Sequence, residues 1–475
     1  MKRYSILFLG MLSLAACTKD ISRFNQQTKS PSVVPAATLF SNAVKGLTDG
    51  LTSTNVGVNV YRLTTQQWTT TTYTDEPNYD FTTRNIPQGW WARMYRDVLV
   101  DLQETKRVVA ADITIIDATK KNQTAMADIM QVYTFSVLVN TFGDVPYSEA
   151  LDYNKITPKY DDAKTIYDDL FTRLNADIAA LSTAGTGFAA TADLVYQGNV
   201  ASWIKFANSL KVRLAMTIAD ADAAKAKTAV EEAEKNAFNS AFDNAVFKYL
   251  AVTPNTNPLY VDLVQSKRQD FVAAKTLIDY LNTNKDPRLS QYFRPNDAGA
   301  YVGGLEGATN TYSDYAKFSA KMVALDFPAL LLDYSEMEFY RAEAIERGFS
   351  VSGTAAAHYN NAIRASLLYW GVSNGDADAY LAQPSVAYAT AAGTWKQKIG
   401  TQKWVALYNR GYEAWTEVRR LDYPVLPAPV GARSGFPNRF TYPTNEQTLN
   451  NASYTAAKTK IGDDKVEVKI FWDKN

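Results

Sequence analysis

The sequence predicts a mostly α-helical fold carrying long irregular loops, on three observations. Apolar residues recur at three- and four-residue spacing through much of the chain, which puts them on one face of a helix. Two such stretches, Ser335 to Gly348 and Thr354 to Trp370, are joined by a short turn and form a helical hairpin with small alanines at its contact points. Between the periodic stretches lie long segments rich in Tyr, Thr, Asn and Pro that follow neither a helix nor a strand period. A helical scaffold with an irregular, long-loop half is the architecture these imply.

Taken in order, Ala36 to Leu51 is a helix, and Val56 to Tyr79 is an aromatic-bearing loop containing Gln66-Gln67-Trp68 and Tyr73-Thr74-Asp75-Glu76-Pro77-Asn78-Tyr79. From Trp91 the apolar face Trp91, Met94, Tyr95, Val98, Leu99 and Leu102 marks a second helix, with Arg96, Asp101 and Glu104 turned away. The helix from about Gln123 to Phe142 is apolar nearly all round and is expected at the centre, stopped by Gly143. Asp161 or Asp162 caps the next, and Ser202 is placed to cap the one carrying Trp203, Phe206, Leu210 and Leu214. An Ala/Glu/Lys-rich helix covers Asp222 to Asn236, and Asp270 begins another that ends at Leu281. Residues 286–318 are again loop, with Tyr301, Tyr312, Asn296 and Asp297. The hairpin at 335–370 has the proportions of a tetratricopeptide unit, although no strict repeat of roughly 34 residues runs through the chain.

Near the end, Trp404, Leu407, Tyr408, Gly411, Trp415 and Val418 share one helical face. Gly411 within it signals close passage of another backbone, since glycine in a helix costs roughly 1 kcal/mol against alanine. Beyond Arg420 the steps Tyr423-Pro424 and Tyr442-Pro443 enforce an extended tail held by packing. Arg341, Glu343, Arg419 and Arg420 lie in or beside apolar faces and must pair if buried.

Composition narrows the function classes. The chain has 475 residues, 49 basic and 49 acidic, so a nucleic-acid partner has no electrostatic support. One histidine and one cysteine exclude a His/Cys metal cluster and an internal disulfide. No cofactor motif is present. Lys2 and Arg3, the apolar run Ile6 to Ala16 and the ending Leu14-Ala15-Ala16-Cys17 read as a signal peptide over residues 1–16. The ending is similar to a bacterial lipobox, which makes Cys17 the lipidated first residue of the mature protein. Residues 17–35 are the lipidated end and a flexible tether, and residues 36–475 are expected to form a single domain.

Several motifs then match a family in order. Phe142-Gly143-Asp144-Val145-Pro146-Tyr147, the segment Trp203 to Met216, Glu336 to Ala344, Trp415 to Arg420 and Arg439-Phe440-Thr441-Tyr442-Pro443 resemble the SusD/RagB family of surface lipoproteins of Bacteroidetes-type bacteria. The resemblance implies a tetratricopeptide-like scaffold with a more irregular ligand-binding half. It also implies a non-catalytic role: capture of a glycan or other small nutrient at the outer membrane and delivery to a partner TonB-dependent transporter. The shared motifs are structural, and binding residues do not transfer by motif.

The ligand site must be sought from chemistry. Sugar rings offer an apolar C–H face and a rim of hydroxyls, which suit flat aromatics beside Asp, Asn or Arg. Trp68, Tyr73, Asp75, Asn78, Tyr79 and Asp80 in the first loop, and Tyr301 and Tyr312 in the second, are the expected contacts. Two alternatives stand beside this reading: a helical scaffold binding proteins or peptides, and a glycoside hydrolase using paired acids such as Asp144, Asp161 and Asp162.

Overall fold

Phe40, Ala43, Val44 and Leu47 fall on one stripe of helix α1 (Ala36–Thr52) and are fully buried by it. The computed structural model describes residues 34–474; the expected signal peptide, Cys17 and the tether up to residue 33 lie outside them. The stripe rests on α2 (Val100–Ala111), which continues Ile86–Met94 through one π turn at Tyr95–Leu99. Of the predicted face, Trp91, Met94, Val98, Leu99 and Leu102 are buried and Tyr95 is half-buried, while Arg96 points outward.

Helix α3 (Asp117–Phe142) is the central element, with every residue from Ile129 to Phe142 buried. It ends as expected at Gly143, whose φ of 86° suits a residue without Cβ. Against it pack α4 (Ala163–Ala180) and α5 (Val200–Thr217), and α6 (Ala223–Ala233) packs in turn on α5. Asp162 caps α4 by accepting the Thr165 N–H at 2.8 Å. Asn199, not Ser202, caps α5: that helix starts at Val200, which leaves Ser202 donating its own N–H to Asn199 Oδ1.

Two further expectations are corrected in the irregular half. The helix expected from Asp270 is α7 (Lys275–Thr283), because Phe271–Ala273 is drawn into strand pairing. The stretch from Trp404 to Val418 is not one helix but two, α10 (Trp395–Ala406) and α11 (Gly411–Leu421), which follow the hairpin of α8 (Tyr334–Glu346) and α9 (Ala355–Trp370). Gly411 therefore opens a helix rather than sitting within one. Its expected close neighbour is real: a Cβ there would lie 2.6 Å from the Arg62 backbone nitrogen.

The buried charges are paired. Arg420 holds Glu343 at 2.6 Å and also contacts Glu417. Arg341 reaches Glu338 at 2.8 Å. Arg419 donates to the carbonyls of Asn140 and Asn438 at 2.9 and 2.7 Å. From 422 to 443 the tail has neither helix nor strand and is tied down by side chains and isolated bonds, as its prolines imply; two short helices, Thr444–Leu449 and Asn451–Ile461, follow. The Trp415 indole donates to Pro437 O at 2.7 Å, Phe440 N–H to Thr141 O at 2.8 Å, and Tyr442 O–H to Asp144 O at 2.9 Å. Thus Arg439–Tyr442 docks onto the Phe142–Asp144 corner, and two distant sequence motifs form one joint. Among the described residues, no helix is long and apolar enough to cross a membrane.

Candidate ligand-binding cleft

The two expected loops, more than two hundred residues apart, are brought together by short strands. β1 (Trp68–Thr70) pairs antiparallel with β2 (Phe271–Ala273), Thr70 facing Phe271. β3 (Phe293–Arg294) pairs antiparallel with β4 (Lys317–Phe318). The ribbons join where Ala273 N–H donates to Ala316 O at 3.0 Å. Asn310 fastens the second loop to the first, its amide donating to Thr70 O at 2.8 Å, and Asn78 reaches back to Gly307 O at 2.8 Å.

This arrangement divides the expected contact residues. Trp68 is 1% exposed, its ring 4.1 Å from that of Phe318 and beneath the Arg62 guanidinium. Such a ring has no face to offer a ligand, so Trp68 is corrected from platform to core. Asn78 and Tyr79 are corrected likewise. Asn78 is buried, and its Oδ1 accepts the Gly431 N–H at 2.9 Å. Tyr79 is buried in the left-handed region at φ 65°, and burial pushes its phenol up to about 12. The half-buried Asp75 closes the turn through its carbonyl, which accepts the Asp80 N–H at 3.0 Å. Asp80 caps the next turn, accepting from Thr82 and Thr83. Its slight burial is outweighed by these hydrogen bonds, which hold the carboxyl below the usual range.

Tyr73 remains. It is 44% exposed and stands in a cleft of about 290 Å³ between the first loop and residues 262–271. The Arg84 guanidinium lies 4.9 Å from its ring centroid and 2.8 Å from the carboxylate of Glu76, whose side chain is fully buried. Glu76 meets Arg84 without hydrogen-bond alignment, and both its oxygens are otherwise unsatisfied. Burial raises its pKa against the pull of its own backbone and Arg84. Asp262, held by Thr54 N–H and Oγ1 at 3.2 and 2.8 Å, and the Arg268–Asp270 ion pair complete the polar rim. Tyr301 and Tyr312 are both half-buried; Tyr312 lies on the far side of Phe271, over the Lys317 ammonium at 5.0 Å.

Sequence reasoning missed Arg84, Asp262, Arg268 and Asp270. For Arg268 and Asp270 the one signal was the charged run Lys267-Arg268-Gln269-Asp270, with Asp270 absorbed into a helix start; Arg84 and Asp262 carried none. The acids named for a hydrolase are committed elsewhere. Asp144 binds Ala163 N–H and Lys460, Asp161 binds the Tyr147 and Ser148 N–H groups, and Asp162 caps α4.

Fold and cleft define a mostly α protein with a tetratricopeptide-like scaffold and a loop-built polar and aromatic cleft. The family described as SusD-like, starch-binding and associating with the outer membrane matches residues 27–443, and the chain belongs to that family. No curated protein matches the chain. Among solved structures, a chitin-binding protein superposes with a TM-score of 0.81 at 27% identity, over 93% of this chain and 100% of that one. A SusD homologue from Bacteroides uniformis gives 0.79 at 27% identity, over 92% and 99%. A chitin-binding SusD homologue from Flavobacterium johnsoniae gives 0.78 at 24% identity, over 92% and 99%, a likeness of fold alone.

Proposed function

We propose that the protein captures a glycan at the outer-membrane surface in the Tyr73 cleft and passes it to a TonB-dependent transporter without cleaving it. The observation that carries the reading is one exposed aromatic ring standing among Arg84, Asp262, Arg268 and Asp270. The ring suits the apolar face of a sugar, and planar charged side chains suit its hydroxyl rim. Family membership and the chitin-binding name of a 27%-identical structure support a polysaccharide as the ligand class. Lipidation at Cys17 would tether the protein beside its transporter through two or more acyl chains, each buried CH₂ contributing about 0.8 kcal/mol.

The test is calorimetric titration with chitooligosaccharides, maltooligosaccharides and plant oligosaccharides, with chromatography of the mixtures afterwards. Tyr73→Ala is expected to weaken binding by roughly tenfold or more, in line with the cost of removing one stacking side chain from a small site. Because Tyr73 is 44% exposed and lies outside the core, the unfolding midpoint should move little. Unchanged affinity would remove the cleft from consideration, and cleavage products would end the non-catalytic reading. Co-purification with a TonB-dependent transporter from the native membrane checks the partner.

A further inference from the structure

A second cleft, of about 90 Å³, lies across the wall formed by Leu263, Arg268 and Phe271, residues that also line the Tyr73 cleft. Its other side is built by β3 and β4, where Arg294 and Lys317 are directly paired across the strands. Cross-strand partners point to the same face, and like charges placed opposite each other destabilise a ribbon. The structure neutralises only one of the two. Lys317 is buried to 2% exposure, bonds Asp297 at 2.6 Å and sits against the Tyr312 ring. Arg294 is exposed and makes no side-chain hydrogen bond, ion pair or cation–π contact among the described residues. Arg268, on the shared wall, is the third cation at this cleft, and its own partner Asp270 lines the Tyr73 side alone.

Three cations, one of them an unmatched guanidinium, and an aromatic ring make a seat for an oxyanion. A guanidinium binds a planar carboxylate or a sulfate ester through two parallel N–H donors. We propose that this second cleft binds an oxyanion substituent of the ligand, so that the captured glycan is an acidic oligosaccharide bridging the two clefts. The inference rests on the glycan reading of the Tyr73 cleft and narrows it: a neutral sugar residue stacks at Tyr73, and an adjoining uronate carboxylate or sulfate ester meets Arg294. A ligand spanning both clefts is a chain of at least two residues, not a free monosaccharide.

The experiment compares matched pairs on the purified full-length protein in detergent. Oligogalacturonates are titrated against their methyl esters, and sulfated galactan oligosaccharides against their desulfated forms, which separates a carboxylate source from a sulfate one. One acidic form is expected to bind roughly tenfold or more tighter than its neutral counterpart, the worth of a charge-assisted hydrogen bond. That preference should shrink as salt rises, because an exposed guanidinium is screened. Arg294→Gln should collapse the ratio of acidic to neutral affinity towards one, and Arg294→Glu should invert it. Tyr73→Ala should weaken the acidic and neutral forms alike. Equal affinity for acidic and neutral forms overturns this inference and leaves the glycan reading standing. A preference that survives Arg294→Glu also overturns it. Absence of binding by every oligosaccharide overturns the glycan reading itself.

Discussion

Trp68→Ala separates an interior residue from a binding one. The Trp68 ring is 1% exposed and packs on Phe318 and Phe271, with ring centroids at 4.1 and 5.9 Å, while Arg62 covers it at 4.8 Å. An aromatic side chain of this kind buries about 150–250 Å². At about 25 cal/mol per Å² that corresponds to roughly 4–6 kcal/mol as an upper bound, since the unfolded chain already hides part of its surface. Measured aromatic-to-alanine losses in cores run about 3–5 kcal/mol, and we expect a value in that range. The damage should spread, because Trp68 lies on β1, which aligns β2 and through it the wall shared by both clefts. The assay is urea unfolding of Trp68→Ala and Tyr73→Ala, each followed by calorimetry with the strongest oligosaccharide found. Trp68→Ala should lower the unfolding midpoint and weaken binding together, whereas Tyr73→Ala should change binding alone. If Trp68→Ala left the midpoint in place and removed only binding, the assignment of Trp68 to the core would be wrong.

Three other predictions concern the scaffold. Gly411→Ala should destabilise by about 1–3 kcal/mol or more, because the added Cβ meets the Arg62 backbone nitrogen at 2.6 Å and backbone cannot swing aside; thermal unfolding no lower than that of the parent protein would refute it. Burial pushes the Glu336 and Glu417 carboxyls up, but Arg213 and Arg410 on one and Arg420 and Lys403 on the other outweigh it and hold each at about 2. Folded values below the ordinary 4.5 mean that these groups stabilise fully above that pH and cease to as pH falls towards 2, each on the order of 3 kcal/mol. Denaturation midpoints at pH 7, 5 and 3 should therefore drop between the last two, and in Arg410→Met, where the Glu336 carboxyl is held down less, that drop should be smaller; an undiminished drop would count against the assignment. Burial lowers the Lys403 ammonium to about 8, against the attraction of Glu417 2.9 Å away. Between that value and the ordinary 10.5 the unfolded chain binds the extra proton, so this group makes stability rise with pH across the window. Lys403→Met should flatten that rise; an identical slope in the variant would count against it.

The helical half was legible because its signals are local. The apolar spacing from Trp91 to Leu102, the all-round apolar end of α3 and the stop at Gly143 follow from local pattern and from one residue's permitted φ, and they stand in the structure with Tyr95 alone left half-buried. Gly411 announced a close backbone, although not which one, since Arg62 approaches from 349 positions away. The irregular half resisted for the converse reason. Nothing near Trp68 records that Phe271 and Phe318 will close over it, so its aromatic chemistry looked the same as that of Tyr73. The Arg84, Asp262 and Arg268 side chains carry no periodicity, and they acquire meaning only when β1 and β2 pair. A strand of three residues leaves too short a pattern to be read.

The tail beyond Leu421 touches both loops of the site. Pro427 O accepts the Gln66 amide at 2.6 Å, Val430 N–H reaches Glu306 O at 3.1 Å, and Gly431 and Arg433 bond Asn78 at 2.9 and 2.8 Å. The first loop therefore waits, with its hydrogen-bonding groups unfilled, for a segment made some 350 residues later. Helices of the scaffold can settle while the chain is still arriving, but the cleft cannot. A chain cut before Pro427 would keep most of its helices but leave Gln66 and Asn78 of the first loop without these partners.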